Sequence, residues 1–378
     1  MPFANPPSIA LVLPGEAMWG ALQTGFTFEL GGRLQRQGWG DHPFDVAIGS
    51  SSGSLIATGA AAGGPFDHGL GREGWIEFGR ATRFFQRGRP LNPYPGALQR
   101  IFESGLVDAD RAYHSPTRLI VTASDYHAEA VSRLGRDHFR LFLAGARLLL
   151  AGKDAADRET FDEIGASLLD DGRRIFGTRY YATKAAPVSP YRREAAFSEV
   201  WRTVESPEQL RRAVEASSRV PLLYGNPVID GVNVMIDGVF TNNAPVELAL
   251  EHGARHVFVV TSSKKGYVFD RPVQTLFRRQ LRGWIGGLGR LGRGLRFVPG
   301  SRHAQEMLEA LARMKGMVPK PAPLDLDDLR RRYPGQDIHV VHPPRNIRVN
   351  RFFESDPRVL GRLYDLGCEL ADRVPGFG

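Results

Sequence analysis

The stretch that decides the fold is FDVAIGSSSGSLIATGAAA, residues 44–62. The apolar run Val46-Ala47-Ile48 predicts a buried strand, and the apolar residues after Gly53 predict a helix. The tight turn between them spells G-x-S-x-G with Ser51 at its centre, which is the pattern of a nucleophile elbow. Glycine suits positions 49 and 53 because only a residue without Cβ tolerates strained angles and close approach. The N-terminus of the helix would favour negative charge developing at Ser51.

The composition is that of a globular protein with ample material for a core. Of 378 residues, 42% are apolar and 24% are charged. Cys368 is the single cysteine, which excludes an internal disulfide and fits a reducing compartment. The N-terminal segment lacks the basic and apolar regions of a secretory signal, and no apolar run approaches the roughly 18 residues that a transmembrane helix needs. We therefore expect a cytoplasmic protein.

A basic segment, residues 264–302, carries the whole excess of positive charge. It contains ten basic residues and one acidic residue, a net charge of +9, whereas the full chain has a net charge of +8. Trp284, Leu288 and Phe297 lie among the cations, which is typical of a surface that touches anionic lipid headgroups. A solvated charged face is the alternative interpretation. No nucleic-acid-binding fold surrounds the segment, so we expect no nucleic-acid partner.

The order of predicted elements indicates an α/β fold with a mostly parallel sheet. Strands are predicted over residues 8–13, 46–48, 118–124, 234–236, 256–261 and 337–342. Helices are predicted over residues 21–36, 54–62, 74–85, 94–102, 161–169, 207–215, 245–251, 306–317 and 355–373, with Ser206 as an N-cap. The less regular residues 65–115 and 125–198 are expected to hold inserted helices that cover the active-site edge of the sheet.

Two further stretches lie where a serine nucleophile would need its partners. Residues 15–20, GEAMWG, follow the first strand and open a helix, so their N–H groups belong at the carboxyl edge of the sheet beside Ser51. Asp237-Gly238 also ends a short apolar strand. Acyl transfer by serine requires a base within hydrogen-bond reach and N–H donors for the oxyanion. Both stretches are therefore candidates for the same site.

These motifs, in this order, resemble those of the patatin-like phospholipase family. That family carries a glycine-rich oxyanion loop, then G-x-S-x-G, then Asp-Gly, and it uses a Ser–Asp dyad without histidine. The corresponding stretches here are residues 15–20, residues 49–53 and Asp237-Gly238. ASSRVP at 216–221 and NNAP at 242–245 resemble two further turns of the family. The resemblance covers residues 8–261 and extends more weakly to the terminal helix.

The resemblance implies a three-layer α/β/α fold in a single domain over residues 1–378, with its core in residues 8–261 and a C-terminal strand and helix in residues 337–373. It implies a lipid acyl hydrolase that cleaves carboxylic esters of phospholipids or related lipids through an acyl-enzyme, without a cofactor or metal. The implied site residues are the nucleophile Ser51, the general base Asp237, the oxyanion donors Gly15, Glu16 and Ala17, the elbow glycines Gly49 and Gly53, and Gly238 in the aspartate loop.

The loop at residues 15–20 departs from the family pattern. Glu16 and Ala17 stand where glycines are expected, and Trp19 stands where a cation is expected. Backbone donors survive such changes if the residues keep negative φ angles. A carboxylate at Glu16 would disfavour an oxyanion unless it points away from Ser51. A second hypothesis is therefore a catalytically weak or inactive homologue that binds lipids or a membrane.

Other interpretations of the same residues are weaker. A dinucleotide-binding loop at residues 15–20 would need glycine at Ala17 and an acid ending the second strand, where Asp45 instead begins it. A triad with His339 or His342 is disfavoured because only one strand precedes the elbow strand. The other histidines, His256 among them, show no metal-binding spacing along the sequence, so structural roles are expected. Asn242 and Asn243 are predicted to cap a helix and orient the Asp237 loop.

Overall fold

The structure is a computed structural model that describes residues 9–81, 94–103, 105–126, 176–184, 199–219, 228–230, 233–263, 265–268, 323–344, 347 and 354–374. Contacts divide the chain into two compact units. The first comprises Met1–Asp125, Thr178–Arg271 and Pro323–Gly378, and it contains nearly all described residues. The second comprises Tyr126–Gly177 and Pro272–Ala322. The predicted helices at 161–169 and 306–317, and nearly all of the basic segment, lie outside the described residues.

Nine strands of the described residues form one mixed sheet, in the order β5-β4-β3-β2-β1-β8-β9, with β7 joined to β3 and β6. The strands are β1 (Ile9–Leu13), β2 (Val46–Ser50), β3 (Arg118–Tyr126), β4 (Phe176–Ala182), β5 (Glu199–Thr203), β6 (Val228–Asp230), β7 (Asn233–Asp237), β8 (His256–Val260) and β9 (Asp337–Val341). Strands β3, β2, β1, β8 and β9 pair in parallel, and β6 and β7 pair antiparallel. The predicted mostly parallel sheet is confirmed.

Helices cover both faces of this sheet. The helices are α1 (Gly20–Arg36), α2 (Ser52–Ala62), α3 (His68–Ala81), α4 (Tyr94–Glu103), α5 (Ala109–His114), α6 (Pro207–Ser217), α7 (Val246–Glu251), α8 (Leu326–Arg332) and α9 (Pro357–Asp372). Alternate strand residues point to opposite faces. Leu11 and Phe258 join a core with α1 and α9, whereas Ala10 and Val257 join a second core with α7 and α8. The three-layer α/β/α arrangement follows from these two cores.

Most predicted elements are present with shifted ends, and the missed ones are short or polar. The N-cap of α6 is Ser206, as predicted, and its side chain accepts a hydrogen bond from the Gln209 N–H. α3 begins at His68 instead of residue 74. α8 was not predicted because Leu329 is its one buried residue, which leaves no apolar periodicity to detect. No helix in the described parts of the chain is long and apolar enough to cross a membrane.

The parallel strands bring three loops to one edge. Leu13 at the end of β1 is in register with Gly49 in β2, so the loop after β1 lies beside the turn that carries Ser51. Val12 is in register with Val259, so the loop after β8 lies on the other side of β1. Ligands bind at this carboxyl edge in open α/β sheets, and the candidate site is built there.

Candidate active site

Ser51 occupies a strained turn between β2 and α2. Its φ is 53° and its ψ is −129°. A positive φ is uncommon for a residue with a Cβ and marks positions where the surrounding structure enforces the conformation. A Cβ at Gly53 would overlap the Leu13 carbonyl oxygen, and a Cβ at Gly49 would overlap the backbone of Gly53 and Ser54. Close backbone approach is therefore the physical reason for glycine at both positions.

Serine side chains hold the backbone of this turn in place. The Ser51 N–H donates to Ser217 Oγ at 2.9 Å, and the Ser217 hydroxyl donates to the Thr122 carbonyl at 2.6 Å. The Ser51 carbonyl accepts from the hydroxyls of Ser54 and Ser218, at 2.6 and 3.2 Å. The sequence predicted no role for Ser217 and Ser218, which lie in the ASSRVP stretch. Their hydrogen bonds tie the end of α6 to the elbow.

The Ser51 hydroxyl donates to Asp237 Oδ2 at 2.6 Å. Asp237 is fully buried at the end of β7, and its Oδ1 accepts from the Val239 N–H at 2.8 Å. Burial raises the pKa of Asp237 to about 7, although the hydrogen bonds from Ser51 and Val239 act in the opposite direction. A carboxylate with such a pKa is both ionised and basic near neutral pH, which suits a general base.

Gly238 allows Asp237 to approach the elbow closely. A Cβ at Gly238 would overlap the Thr122 carbonyl oxygen of β3, and it would also crowd Ser50 Oγ. The chain passes this point in a 3-10 turn, Gly238–Phe240. The absence of a side chain therefore lets the aspartate loop pack directly on β2 and β3.

The loop after β1 presents three backbone N–H groups, and two of them are engaged. The Gly15 N–H donates to Asn243 Oδ1 at 2.7 Å, and the Glu16 N–H donates to Ser52 Oγ at 3.1 Å. The Ala17 N–H has no acceptor among the described residues. Gly15 itself lies against Ser51, because a Cβ there would meet Ser51 Cβ at 2.5 Å.

Ala17 does not meet the condition of a negative φ angle. Its φ is 51°, in the left-handed region where glycine is usual. The condition therefore fails at Ala17, which begins the 3-10 turn Ala17–Trp19, whereas Glu16 meets it with a φ of −124°. Strain of this kind in a residue other than glycine clusters at functional sites.

The Glu16 carboxylate points away from Ser51. Its Oε1 accepts from the Thr261 hydroxyl at 3.2 Å, and its Oε2 accepts from the Ser262 hydroxyl at 2.5 Å. Thr261 and Ser262 follow β8, which lies on the opposite side of β1 from β2 and Ser51. The carboxylate therefore has its hydrogen-bond donors in the loop after β8 and does not face the position of the oxyanion.

We expect Glu16→Ala to lower the free energy of unfolding by about 1–3 kcal/mol, because it removes the carboxylate that accepts from the buried Thr261 hydroxyl and the half-buried Ser262 hydroxyl. Glu16→Gln is the matched control. It keeps one acceptor oxygen, so its free energy of unfolding should decrease less. Urea unfolding of both variants measures the difference. Ester hydrolysis by Glu16→Ala should not rise above that of the wild type. A rise would mean that the carboxylate opposes the oxyanion after all.

The two asparagines do not cap α7, which corrects the sequence prediction. The N-cap of α7 is Pro245, which provides no side-chain hydrogen bond. Asn242 instead donates to the Tyr180 hydroxyl at 2.8 Å, and Asn243 accepts from Gly15. Asn242 therefore connects its loop to β4, and Asn243 connects the same loop to the loop after β1.

The sequence profile of the family described as patatin-like phospholipase matches residues 11–250. The matched region contains the elbow, the loop after β1 and the Asp237 loop. The chain belongs to the patatin-like phospholipase family. Membership implies lipid acyl hydrolase activity in general. No curated protein matches the chain significantly.

The histidines considered for a triad lie elsewhere in this patatin-like domain. His339 is in β9, and His342 directly follows it. β9 is three strands away from β2 in the sheet, which corresponds to about 14 Å at the usual strand spacing. The side chain that contacts Ser51 Oγ is Asp237, as the Ser–Asp arrangement requires.

Proposed function

We propose that the chain hydrolyses carboxylic ester bonds of phospholipids or related acyl esters, with Ser51 as nucleophile and Asp237 as general base. The observation that carries the proposal is the 2.6 Å hydrogen bond between Ser51 Oγ and a fully buried carboxylate. The raised pKa of Asp237, about 7, supports the same roles. Family membership supports the reaction class.

In the acylation step, Asp237 accepts the hydroxyl proton while Ser51 Oγ attacks the ester carbonyl carbon. The tetrahedral intermediate carries its negative charge on the former carbonyl oxygen. As this intermediate collapses, the carbon–oxygen bond to the alcohol breaks, and the proton held by Asp237 passes to the leaving alcohol. The product of this step is an acyl ester on Ser51 and a carboxylate that is ionised again.

Deacylation repeats these transfers with water. Asp237 takes a proton from a water molecule that attacks the acyl-enzyme carbonyl, and it returns that proton to Ser51 Oγ as the fatty acid leaves. Backbone donors of residues 15–17 would stabilise the oxyanion in both steps. Ala17 is the donor without a competing acceptor among the described residues, whereas Gly15 and Glu16 would have to exchange Asn243 and Ser52 for the substrate.

The chain's location and surface contacts are further parts of the proposal. We propose a cytoplasmic protein whose basic segment, residues 264–302, contacts anionic membranes peripherally. Its net charge of +9 supports this, because each basic residue near an anionic surface adds attraction. We also propose that residues 1–378 form a single domain.

A second function is a homologue that binds lipid with little or no turnover. The observation that favours it is the engagement of two of the three expected oxyanion donors by side chains. A hole that is already filled stabilises a developing oxyanion less, because its donors must first be released. Both hypotheses use the same site and differ in whether Ser51 becomes acylated.

A fluorophosphonate probe separates the two hypotheses, since it reacts only with an activated serine. We expect one probe per chain, attached to the peptide that contains Ser51 and identified by mass spectrometry. A short-chain acyl ester added beforehand should slow the labelling. Folded wild-type protein that resists the probe and hydrolyses no phospholipid or acyl ester of a panel, yet binds lipid vesicles, would support the binding protein instead.

A further inference from the structure

Two histidines and an aspartate meet at the outer edge of the sheet, away from Ser51. His256 begins β8, Asp337 begins β9, and His339 lies two residues further along β9. The strand register pairs His256 with Asp337 and Phe258 with His339. Because side chains two residues apart point to the same face of a strand, all three side chains share one face of the sheet.

Two of the three distances between the ligand atoms match those around a single tetrahedral ion. His256 Nδ1 lies 3.4 Å from His339 Nε2 and 3.4 Å from Asp337 Oδ2. Nitrogen and oxygen ligands bind Zn²⁺ at about 2.0–2.2 Å, so two ligands of a tetrahedral site lie about 3.4 Å apart. The three ligand atoms all lie within 4.8 Å of one another. Imidazoles with one carboxylate suit Zn²⁺ and similar transition metals better than Mg²⁺ or Ca²⁺.

The surrounding residues hold these ligands in place. The His339 ring stacks on Phe258, with centroids 4.7 Å apart and planes 18° apart, and Phe258 is fully buried. The Asp337 N–H donates to the Arg255 carbonyl at 2.7 Å, which fixes the start of β9 beside β8. The Asp337 side chain is 63% exposed, so an ion can enter from solvent. Ligands on paired strands need little rearrangement to bind.

We propose that His256, Asp337 and His339 bind one Zn²⁺ ion, with water as the fourth ligand, and that the ion fastens edge strand β9 to β8. The site lies at the amino ends of these strands, whereas Ser51 follows the carboxyl end of β2, so the ion would not touch the reacting ester. Sequence spacing did not predict it, because His256 and His339 are 83 residues apart and only the strand register brings them together.

The test titrates the metal-free full-length chain with ZnCl₂ in a calorimeter. We expect one Zn²⁺ per chain and a higher melting temperature with Zn²⁺ than with a chelator. Asp337→Asn and His339→Gln should each weaken binding by about ten-fold or more. His114→Gln, at a histidine whose side chain is 67% exposed, should leave the affinity unchanged. The absence of stoichiometric binding, or unchanged affinity in both ligand variants, would overturn the proposal.

A metal ion could also bind at a second cluster, which consists of Glu29, His68 and Cys368. It is less suited to one ion, because His68 uses Nε2 towards Glu29 at 3.3 Å and Nδ1 towards Cys368 at 3.9 Å. Co²⁺ added to the unmodified wild-type chain distinguishes the two, because a thiolate ligand gives an intense near-ultraviolet charge-transfer band. We expect no such band and unchanged Zn²⁺ affinity in Cys368→Ser. A thiolate band that Cys368→Ser removes would place the metal at the second cluster and contradict the proposal.

Discussion

Replacing Ser51 by alanine is expected to reduce ester hydrolysis by about 10⁴–10⁶-fold, to the level of the uncatalysed reaction or slightly above it. The variant lacks the oxygen that would form the acyl-enzyme, and no second hydroxyl donates to Asp237 in the described structure. Hydrolysis of a short-chain acyl ester, measured with the folded variant at several enzyme concentrations, gives the residual rate. Fluorophosphonate labelling should disappear in parallel.

Ser50→Ala is the matched control for this experiment. Ser50 directly precedes the nucleophile, and its replacement by alanine removes the same atom, the Oγ. The buried Ser50 hydroxyl has no hydrogen-bond partner among the described residues. Removing an unpaired buried hydroxyl should leave the rate within a few-fold of the wild type and should not lower stability. If Ser51→Ala kept most of the activity, another residue would be the nucleophile. Equal losses in both variants would indicate damage to the turn instead of lost chemistry.

The sequence predicted the parts of the site that depend on strand order. Ser51 and Asp237 are 186 residues apart, yet both follow apolar strands, and parallel strands bring their carboxyl ends to one edge. Strand order therefore made both residues candidates for one site, and the family resemblance implied the contact between them. The sequence also predicted why glycine occupies positions 49 and 53. A tight strand-to-helix turn requires close backbone approach, and the structure has it at both positions.

The sequence did not predict where individual polar side chains in the loops would point. The Glu16 carboxylate could have faced Ser51 or the β8 loop, and the choice depends on hydroxyls 245 and 246 residues further along the chain. The bond from Gly15 to Asn243 likewise spans 228 residues. Local patterns carry no information about such contacts, because each contact depends on which loops the sheet places side by side.

The same reasoning explains the histidines of β8 and β9. Metal motifs are recognisable in sequence when the ligands share a helix or a short loop. His256 and His339 share neither, so a search along the chain finds isolated histidines. Their proximity follows from one parallel pairing, β8 with β9, whose partners the sequence alone did not identify.

Replacing Asp237 by asparagine is expected to lower kcat/KM by about 10⁴-fold, since it removes the base while keeping the size of the side chain. The wild-type rate should depend on ionisation of Asp237, whose pKa is about 7. Below that pH, kcat/KM should fall about ten-fold per pH unit, because only the ionised carboxylate accepts the Ser51 proton. The residual activity of Asp237→Asn should lack this dependence. A pH–rate profile from pH 5 to 9 for both proteins measures it.

The free energy of unfolding provides the control for Asp237→Asn. As the pH rises, the activity of the wild type should increase, whereas its stability should decrease. The pKa of Asp237 rises from 3.8 in an exposed carboxyl to about 7 in the folded protein, so between these values the folded state binds a proton that the unfolded state lacks. The contribution of Asp237 to folding stability is therefore fully present below pH 3.8, and it is lost as the pH rises through about 7. Asp237→Asn cannot ionise at this position. The melting temperature of the variant minus that of the wild type should therefore increase as the pH rises from 5 to 8. An asparagine variant that melts lower at pH 8, or one that keeps most of its activity, would contradict a buried aspartate acting as the base.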